Sequence, residues 1–363
     1  MTTNTRTQWG LNFNSGPGIL PKEVCTEAAE AVVSFRGTGL SILEIGHRTP
    51  LFQEVMDEAR GLARQLMQLD DDHEVLFLHG GATTQFYQVP LNLLNPGESA
   101  AYLDAGTWGT KAFKEAKNIG EVILLGSSKD KGYTYIPKGY AIPADARYVH
   151  ITSNNTIEGT QQFEWPDTDV PLIADMSSDI LSRQMDFNRF ALFYAGAQKN
   201  MGAAGVTMVV VDKKMLGKVS RTLPAMMDYR NHISAGSMLN TPPVFAVYVC
   251  MLTLRWLSRL GGIEAIEPVN RQKAALLYNT LDQLPVYRPT VAGEDRSLMN
   301  VVWVMADKAH DQELLAMAEK EGINGIEGHR TAGGFRASLY NAMPLSGVET
   351  LVQLLKHFAQ VKG

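Results

Sequence analysis

A short apolar strand, Leu192 to Tyr194, runs directly into Ala195-Gly196-Ala197-Gln198-Lys199-Asn200-Met201-Gly202, and a second strand, Val206 to Val211, follows at once. Two strands joined this closely leave no space for a solvated helix, so Lys199 is expected in a tight turn among small neighbours. Gly196, Gly202 and Gly205 let the backbone turn sharply or approach another group. An amine held in this way can lose its proton and form a Schiff base with an aldehyde cofactor. On spacing alone, an ordinary surface lysine fits as well.

The same kind of segment recurs along the chain. Glu74 to Leu78, Ala100 to Leu103, Val122 to Leu125, Tyr148 to Ile151 and Leu172 to Ala174 are short apolar runs, with helical or loop segments between several of them. That alternation predicts an α/β layer with a mostly parallel sheet. Helices are expected from Pro21 towards Phe35, over Leu51 to Leu69, and over Pro243 to Leu260, where Gly261-Gly262 makes a natural stop. Asn300 to Met305 and Gly334 to Leu339 are strand candidates, each followed by an amphipathic helix. A domain boundary is placed near Gly262. It divides a large unit, 1–262, from a smaller α+β unit, 263–363, with room for the N-terminal segment to touch the smaller one.

The chain's 363 residues suffice for two cores. A net charge of −5 gives no basic footprint for nucleic acid and no polybasic membrane patch. Any anionic substrate must therefore be held by local arginine and histidine. Cys25 and Cys250 are too few for a disulfide scaffold or a metal site, and each is expected to be a buried small hydrophobe. The longest apolar run, Phe245 to Leu254, is too short to span a bilayer. The polar start, Met1 to Gly10, lacks the apolar core of a secretory signal, so a cytoplasmic protein is expected.

Several strand ends carry chemistry. Gly80-Gly81-Ala82-Thr83-Thr84 follows a strand and opens a helix, where unpaired N–H groups and hydroxyls can cradle a phosphate; Gly-Gly there also marks a tight turn. Trp108, in Asp104-Ala105-Gly106-Thr107-Trp108-Gly109, is either a ring for stacking or a core residue. Asn154-Asn155-Thr156-Ile157-Glu158-Gly159 offers a hydroxyl and amides to a ring substituent, or caps a turn. Asp175, in Ala174-Asp175-Met176-Ser177-Ser178, can pair with a pyridinium nitrogen or cap the next turn. Ligands of open α/β sheets bind outside these carboxyl ends.

Taken together, these segments resemble the phosphoserine aminotransferase branch of the class V aminotransferases, which are fold-type-I pyridoxal-phosphate enzymes. The likeness runs nearly end to end. It is carried further by Asn12-Phe13-Asn14-Ser15-Gly16-Pro17-Gly18, Glu44-Ile45-Gly46-His47-Arg48, Gly236-Ser237-Met238-Leu239-Asn240-Thr241-Pro242-Pro243 and Gly328-His329-Arg330-Thr331-Ala332-Gly333-Gly334-Phe335-Arg336-Ala337-Ser338. The resemblance implies that Lys199 carries the pyridoxal 5'-phosphate and that Trp108 stacks on its ring. It also implies that Asp175 binds the ring nitrogen and Thr156 the ring oxygen. Ala82, Thr83, Ser177 and Gln198 would complete the cofactor site, and Asn240 and Thr241 would reach the phosphate from the partner of a homodimer.

The same resemblance assigns Arg336 to the substrate α-carboxylate, and His47, Arg48, His329 and Arg330 to the distal anion, with Ser15 also near glutamate. Arginine forks suit carboxylate and phosphate bidentately. The reaction implied is reversible amino transfer between L-glutamate and 3-phosphohydroxypyruvate in serine biosynthesis. Use of 3-hydroxy-2-oxo-4-phosphonooxybutanoate in pyridoxine biosynthesis is left open. Class V relatives acting on alanine and glyoxylate have no partner for such a His-Arg cluster. Gly46 and Thr83 depart from residues found in many or some relatives, which touches binding more than chemistry.

Overall fold

The computed structural model describes residues 10–330 and 332–362. Nearly all of the polar start, and Thr331 of the Gly328–Ser338 segment, lie outside the described residues. Twelve strands are described: β1 Leu11–Asn12, β2 His73–His79, β3 Ser99–Asp104, β4 Glu121–Ser127, β5 Val149–Thr152, β6 Leu172–Asp175, β7 Phe190–Gly196, β8 Val206–Asp212, β9 Tyr287–Pro289, β10 Asn300–Met305, β11 Ile323–Asn324 and β12 Phe335–Ser338. The α-helices are α1 Lys22–Val33, α2 Pro50–Met67, α3 Ala82–Leu93, α4 Thr107–Ala116, α5 Tyr229–Ser234, α6 Val244–Arg259, α7 Gly262–Gln283, α8 Asp311–Lys320 and α9 Leu345–Lys362.

Seven strands form one sheet in the order β2-β8-β7-β6-β5-β3-β4. The pairs from β7 to β4 are parallel, whereas β8 runs antiparallel between β2 and β7. Helices cover both faces, which is why its central strands read as unbroken apolar runs instead of alternating ones. Phe77, Ala101, Ile151, Ala174, Phe193 and Val210 face a core built with α1, α2 and α6. Their neighbours Leu76, Tyr102, Ile173, Tyr194 and Val209 face the opposite core, which holds Phe86 and Val89 of α3 and Ala112 of α4. In α2 the buried residues Phe52, Val55, Met56, Ala59, Ala63 and Met67 recur at helical spacing, so one stripe seals that helix to the sheet.

A third core joins α7, α9 and the three-stranded antiparallel sheet β12-β10-β9. The N-terminal segment enters it: Leu11 pairs with Ile323, Asn12 with Asn324, and Phe13 is fully buried there. Helix α7 has no counterpart in the sequence reading. It starts at Gly262 and stands at 85° to α6. Cys250 is buried, whereas Cys25 is only half-buried on α1, because its position lies off the stripe of Val24, Ala28 and Ala31. Among the described residues no single helix is long and apolar enough to cross a membrane.

Because β2 is parallel to β7, the carboxyl ends of β2, β3, β5, β6 and β7 share one edge of the sheet. The residues singled out at Gly80, Trp108, Thr156, Asp175 and Lys199 all follow those five ends.

Candidate active site

Lys199 lies in the turn after β7, and its Nζ donates to Thr156 Oγ1 at 2.6 Å. Trp108 is the second residue of α4, and the Lys199 amine stands 5.9 Å from its ring centre. Phe86, on α3, packs against the same indole with ring centres 6.5 Å apart. Removal of the Lys199 amine from water lowers its pKa to about 8; the Asp175 charge opposes that shift and the Arg336 charge adds to it.

Asp175 ends β6 and is buried, with only 4% of its surface exposed. It sits in register with Tyr194, on the α3 and α4 side of the sheet. Ser177 donates to its Oδ1 twice, from backbone N at 2.9 Å and from Oγ at 2.6 Å. Desolvation raises the Asp175 pKa, partly offset by Lys199 and by the Ser177 bonds. A buried carboxyl steadied on one oxygen, within Coulombic reach of the Lys199 amine, suits a flat group carrying a ring nitrogen.

The turn expected to cradle a phosphate is built from backbone. Helix α3 is twelve residues long, and its N-cap Gly81 has no side chain to close the first turn, so Ala82 and Thr83 head an uncapped helix. Gly80 adopts φ +89°, and a Cβ there would lie 2.6 Å from Thr84 Oγ1, so the turn admits glycine alone. Gln198 projects back over Gly196, where an added Cβ would meet Gln198 Oε1 at 2.7 Å. These features fit an anionic, planar cofactor, with Trp108, Thr156, Asp175, Ser177, Gln198 and Lys199 around it.

On the substrate side, Arg336 of β12 donates from Nη2 to Ser15 Oγ at 2.8 Å and from Nη1 to the Thr156 carbonyl at 3.4 Å. Its Nε is buried with no hydrogen-bond partner among the described residues. The loop that carries Ser15 lies against the lysine turn: Gly18 N donates to the Gln198 carbonyl at 2.7 Å. A Cβ on Gly18 would come within 2.7 Å of the Lys199 carbonyl oxygen and the Tyr340 ring. His329 joins this group, its pKa lowered first by desolvation and then by Arg336 and Arg330.

Other expected residues stand apart from this cluster. Arg48 is exposed and His47 half-buried in the loop before α2, and the His47 Nε2 is buried without a hydrogen-bond partner among the described residues. Among the described residues, no hydrogen bond or ion pair joins either to Lys199 or Arg336. Arg330 is exposed. Asn240 and Thr241 precede α6, and the Thr241 carbonyl meets His79 Nε2 at 2.6 Å at the end of β2.

The site also contains groups that motif reading passed over. Tyr340 OH donates to the Ser15 carbonyl at 2.6 Å. Lys111 Nζ lies 4.2 Å from the Trp108 ring centre, one helical turn further along α4. Glu158 accepts from Thr107 N and Oγ1 at 2.8 and 2.6 Å. Asp179, fully buried, accepts from Ser153 and Gln161 and lies 3.6 Å from Arg183. Its spacing of four residues from Arg183 was the only local signal.

The aminotransferase class-V family model matches residues 11–351. A phosphoserine aminotransferase of Flavobacterium johnsoniae is 54% identical over 95% of this chain and 97% of its own length. The solved phosphoserine aminotransferase of Bacillus circulans subsp. alkalophilus superposes with a TM-score of 0.95 at 42% identity, covering 98% of this chain and 99% of that one. A pyridoxal-phosphate-bound phosphoserine aminotransferase from Trichomonas vaginalis gives a TM-score of 0.92 at 33% identity over 96% and 100%. A match over nearly the whole chain carries the mostly parallel sheet and the family: the chain belongs to the phosphoserine aminotransferase branch of aminotransferase class V and is a pyridoxal-phosphate-dependent aminotransferase.

Proposed function

We propose that the chain moves an amino group reversibly between L-glutamate and 3-phosphohydroxypyruvate, giving 2-oxoglutarate and O-phospho-L-serine. The observation that carries this reading is the juxtaposition of a desolvated lysine amine, a buried carboxyl and an arginine with an unused Nε at one sheet edge. In this reading the unit 1–262 holds the cofactor and the unit 263–363 brings Arg336 to it.

Pyridoxal phosphate, when bound, supplies an aldehyde that accepts the amino group and a ring that takes up electron density from the substrate Cα. Lys199 Nζ would hold the cofactor through its aldehyde carbon and, once freed by substrate, would be the base that takes the proton from the substrate Cα and delivers it to that aldehyde-derived carbon. Thr156 Oγ1, the present partner of that amine, would bind the ring oxygen. Asp175, steadied by Ser177, would keep the ring nitrogen protonated from its buried position. Ala82, Thr83 and Gln198 would hold the phosphate, with Asn240 and Thr241 reaching it from a second copy. Trp108 would stack on the ring and exclude water there.

Arg336 and Ser15 take the α-carboxylate, while His47, Arg48, His329 and Arg330 take the distal anion. Both a γ-carboxylate and a phosphate must fit one pocket in turn. Flexible cationic groups do that where a shaped apolar wall would not. The test is a spectrum of the pure protein before and after glutamate. Loss of the long-wavelength band, restored by 3-phosphohydroxypyruvate and not by glyoxylate, supports the reading; a band that responds to alanine and glyoxylate instead overturns it. The four-carbon 3-hydroxy-2-oxo-4-phosphonooxybutanoate assayed beside them decides the pyridoxine side role.

The lysine's pKa gives a further expectation. Below about 8 the amine is protonated and cannot attack, and above it the neutral form dominates. The rate at which apo-protein captures pyridoxal phosphate should therefore rise with pH through a midpoint near 8. Stopped-flow absorbance reads it, and a midpoint near the ordinary lysine value of about 10.4 would contradict it. Because the folded state binds fewer protons than the unfolded chain between about 8 and 10.5, this lysine also makes the apo-protein more stable as pH rises through that window.

A further inference from the structure

Helix α4 begins at Thr107 with Gly106 as its N-cap, and glycine has no side chain to satisfy the first turn. The place is taken by a group from another loop. Glu158 Oε1 accepts from both Thr107 N, at 2.8 Å, and Thr107 Oγ1, at 2.6 Å. A negative carboxylate against the positive end of a ten-residue helix is favourable in both charge and hydrogen bonding. Gly106 is required for this contact. A Cβ there would fall 2.4 Å from Asn155 Oδ1 and 2.9 Å from Glu158 Oε2.

The two residues so tied carry neighbours that matter. Trp108 follows Thr107 directly, and Thr156, the partner of the Lys199 amine, lies two residues before Glu158. Glu158 itself has only 9% of its surface exposed, and its second oxygen is buried with no hydrogen-bond partner among the described residues. Gly159 turns the chain back at φ +79°, and Gly159 N closes the loop on the Asn155 carbonyl at 2.8 Å. The loop after β5 and the helix after β3 are thus fastened at one carboxylate, between the indole and the hydroxyl.

We propose that Glu158 is a positioning residue, which caps α4 from the neighbouring loop and so fixes the Trp108 ring relative to Thr156 and the Lys199 amine. The proposal rests on the cofactor reading above. Glu158 touches neither substrate nor cofactor in it, and acts through Thr107. Its carboxylate serves here as a hydrogen-bond acceptor, so an amide oxygen at the same place does most of the same work.

Three variants test this. Glu158→Ala removes both bonds, Glu158→Gln keeps an acceptor, and Thr107→Val removes the hydroxyl donor alone. Each is measured by pyridoxal-phosphate titration of the apo-protein, by visible circular dichroism of the bound cofactor, and by kcat and KM separately. Glu158→Ala is expected to weaken cofactor binding about tenfold, to diminish the visible dichroic band, and to lower kcat by about ten- to a hundredfold with KM for glutamate little changed. Glu158→Gln should stay within about threefold of the wild type, a neutral acceptor being the weaker one. Thr107→Val should fall between them, and it carries the test if Glu158→Ala does not fold. A Glu158→Ala protein with wild-type affinity and dichroism overturns the proposal, as does a Glu158→Gln protein as impaired as the alanine variant. If the cofactor reading itself is wrong, the wild type takes up no pyridoxal phosphate at all, which separates the two failures.

Discussion

Replacing Lys199 with alanine is expected to remove the long-wavelength absorbance of the purified protein and to lower kcat by at least about 10⁴-fold. Loss of a positioned general base alone costs about 10²–10⁴, and the same substitution removes the covalent anchor. The fold should survive. Lys199 sits in a turn whose backbone is held by other residues, with Met201 N and Gly202 N donating to the Ala197 carbonyl. Among the described residues its amine makes a single side-chain hydrogen bond, to Thr156. Desolvation disfavours the charged amine, so alanine also removes a group that burial penalises. Absorbance and single-turnover measurements read the outcome. A variant that keeps both the band and turnover would remove Lys199 from the chemistry.

Asp175→Asn should be the next most damaging change. Asparagine keeps an oxygen for the two Ser177 bonds, so the local structure is retained while the charge is lost. Removing one preorganised electrostatic group from a reacting centre costs about 10²–10³ in kcat, and binding of the cofactor should weaken as well. A second readout follows from the charge balance. Asp175 raises the Lys199 pKa, so without it the amine's pKa falls further below about 8. The pH midpoint for cofactor capture should therefore move down, not up. An unchanged midpoint with full activity would show that the two groups do not sense each other.

Much of the fold is legible in the chain because its central strands are covered on both faces. Leu172–Asp175 and Val206–Asp212 are almost wholly buried, so their apolar runs stand out without alternation. The catalytic candidates are legible for a local reason: each follows such a run by a few residues. Strand direction is not encoded in periodicity, so nothing marked β8 as antiparallel. The paired two-residue strands β1 and β11 are too short to show a pattern. Helix α7 was missed although Ile263, Ile266, Asn270, Ala274, Leu277 and Leu281 keep helical spacing. Gly261-Gly262 does separate α6 from α7, and the interior Pro268, a helix breaker by itself, is accommodated within α7.

Contacts between distant segments left no trace in the sequence reading. Glu158 and Thr107 are 51 residues apart, and Arg336 and Ser15 are 321 apart. Glu158 lay inside a motif singled out for Thr156, yet nothing local indicates that its carboxylate reaches a helix start. The resemblance drew His47, Arg48, Asn240 and Thr241 into the same site. Among the described residues no hydrogen bond or ion pair joins them to Lys199, and the Thr241 carbonyl meets His79 at the end of β2.

The most direct measurement is to treat the purified enzyme with borohydride, digest it and locate the reduced pyridoxyl group by mass spectrometry. The label is expected on Lys199 alone, within the peptide that follows β7. Label on another lysine, such as Lys111 beside Trp108, or no label on a protein that still transaminates, would contradict a site built around the amine at the end of that strand.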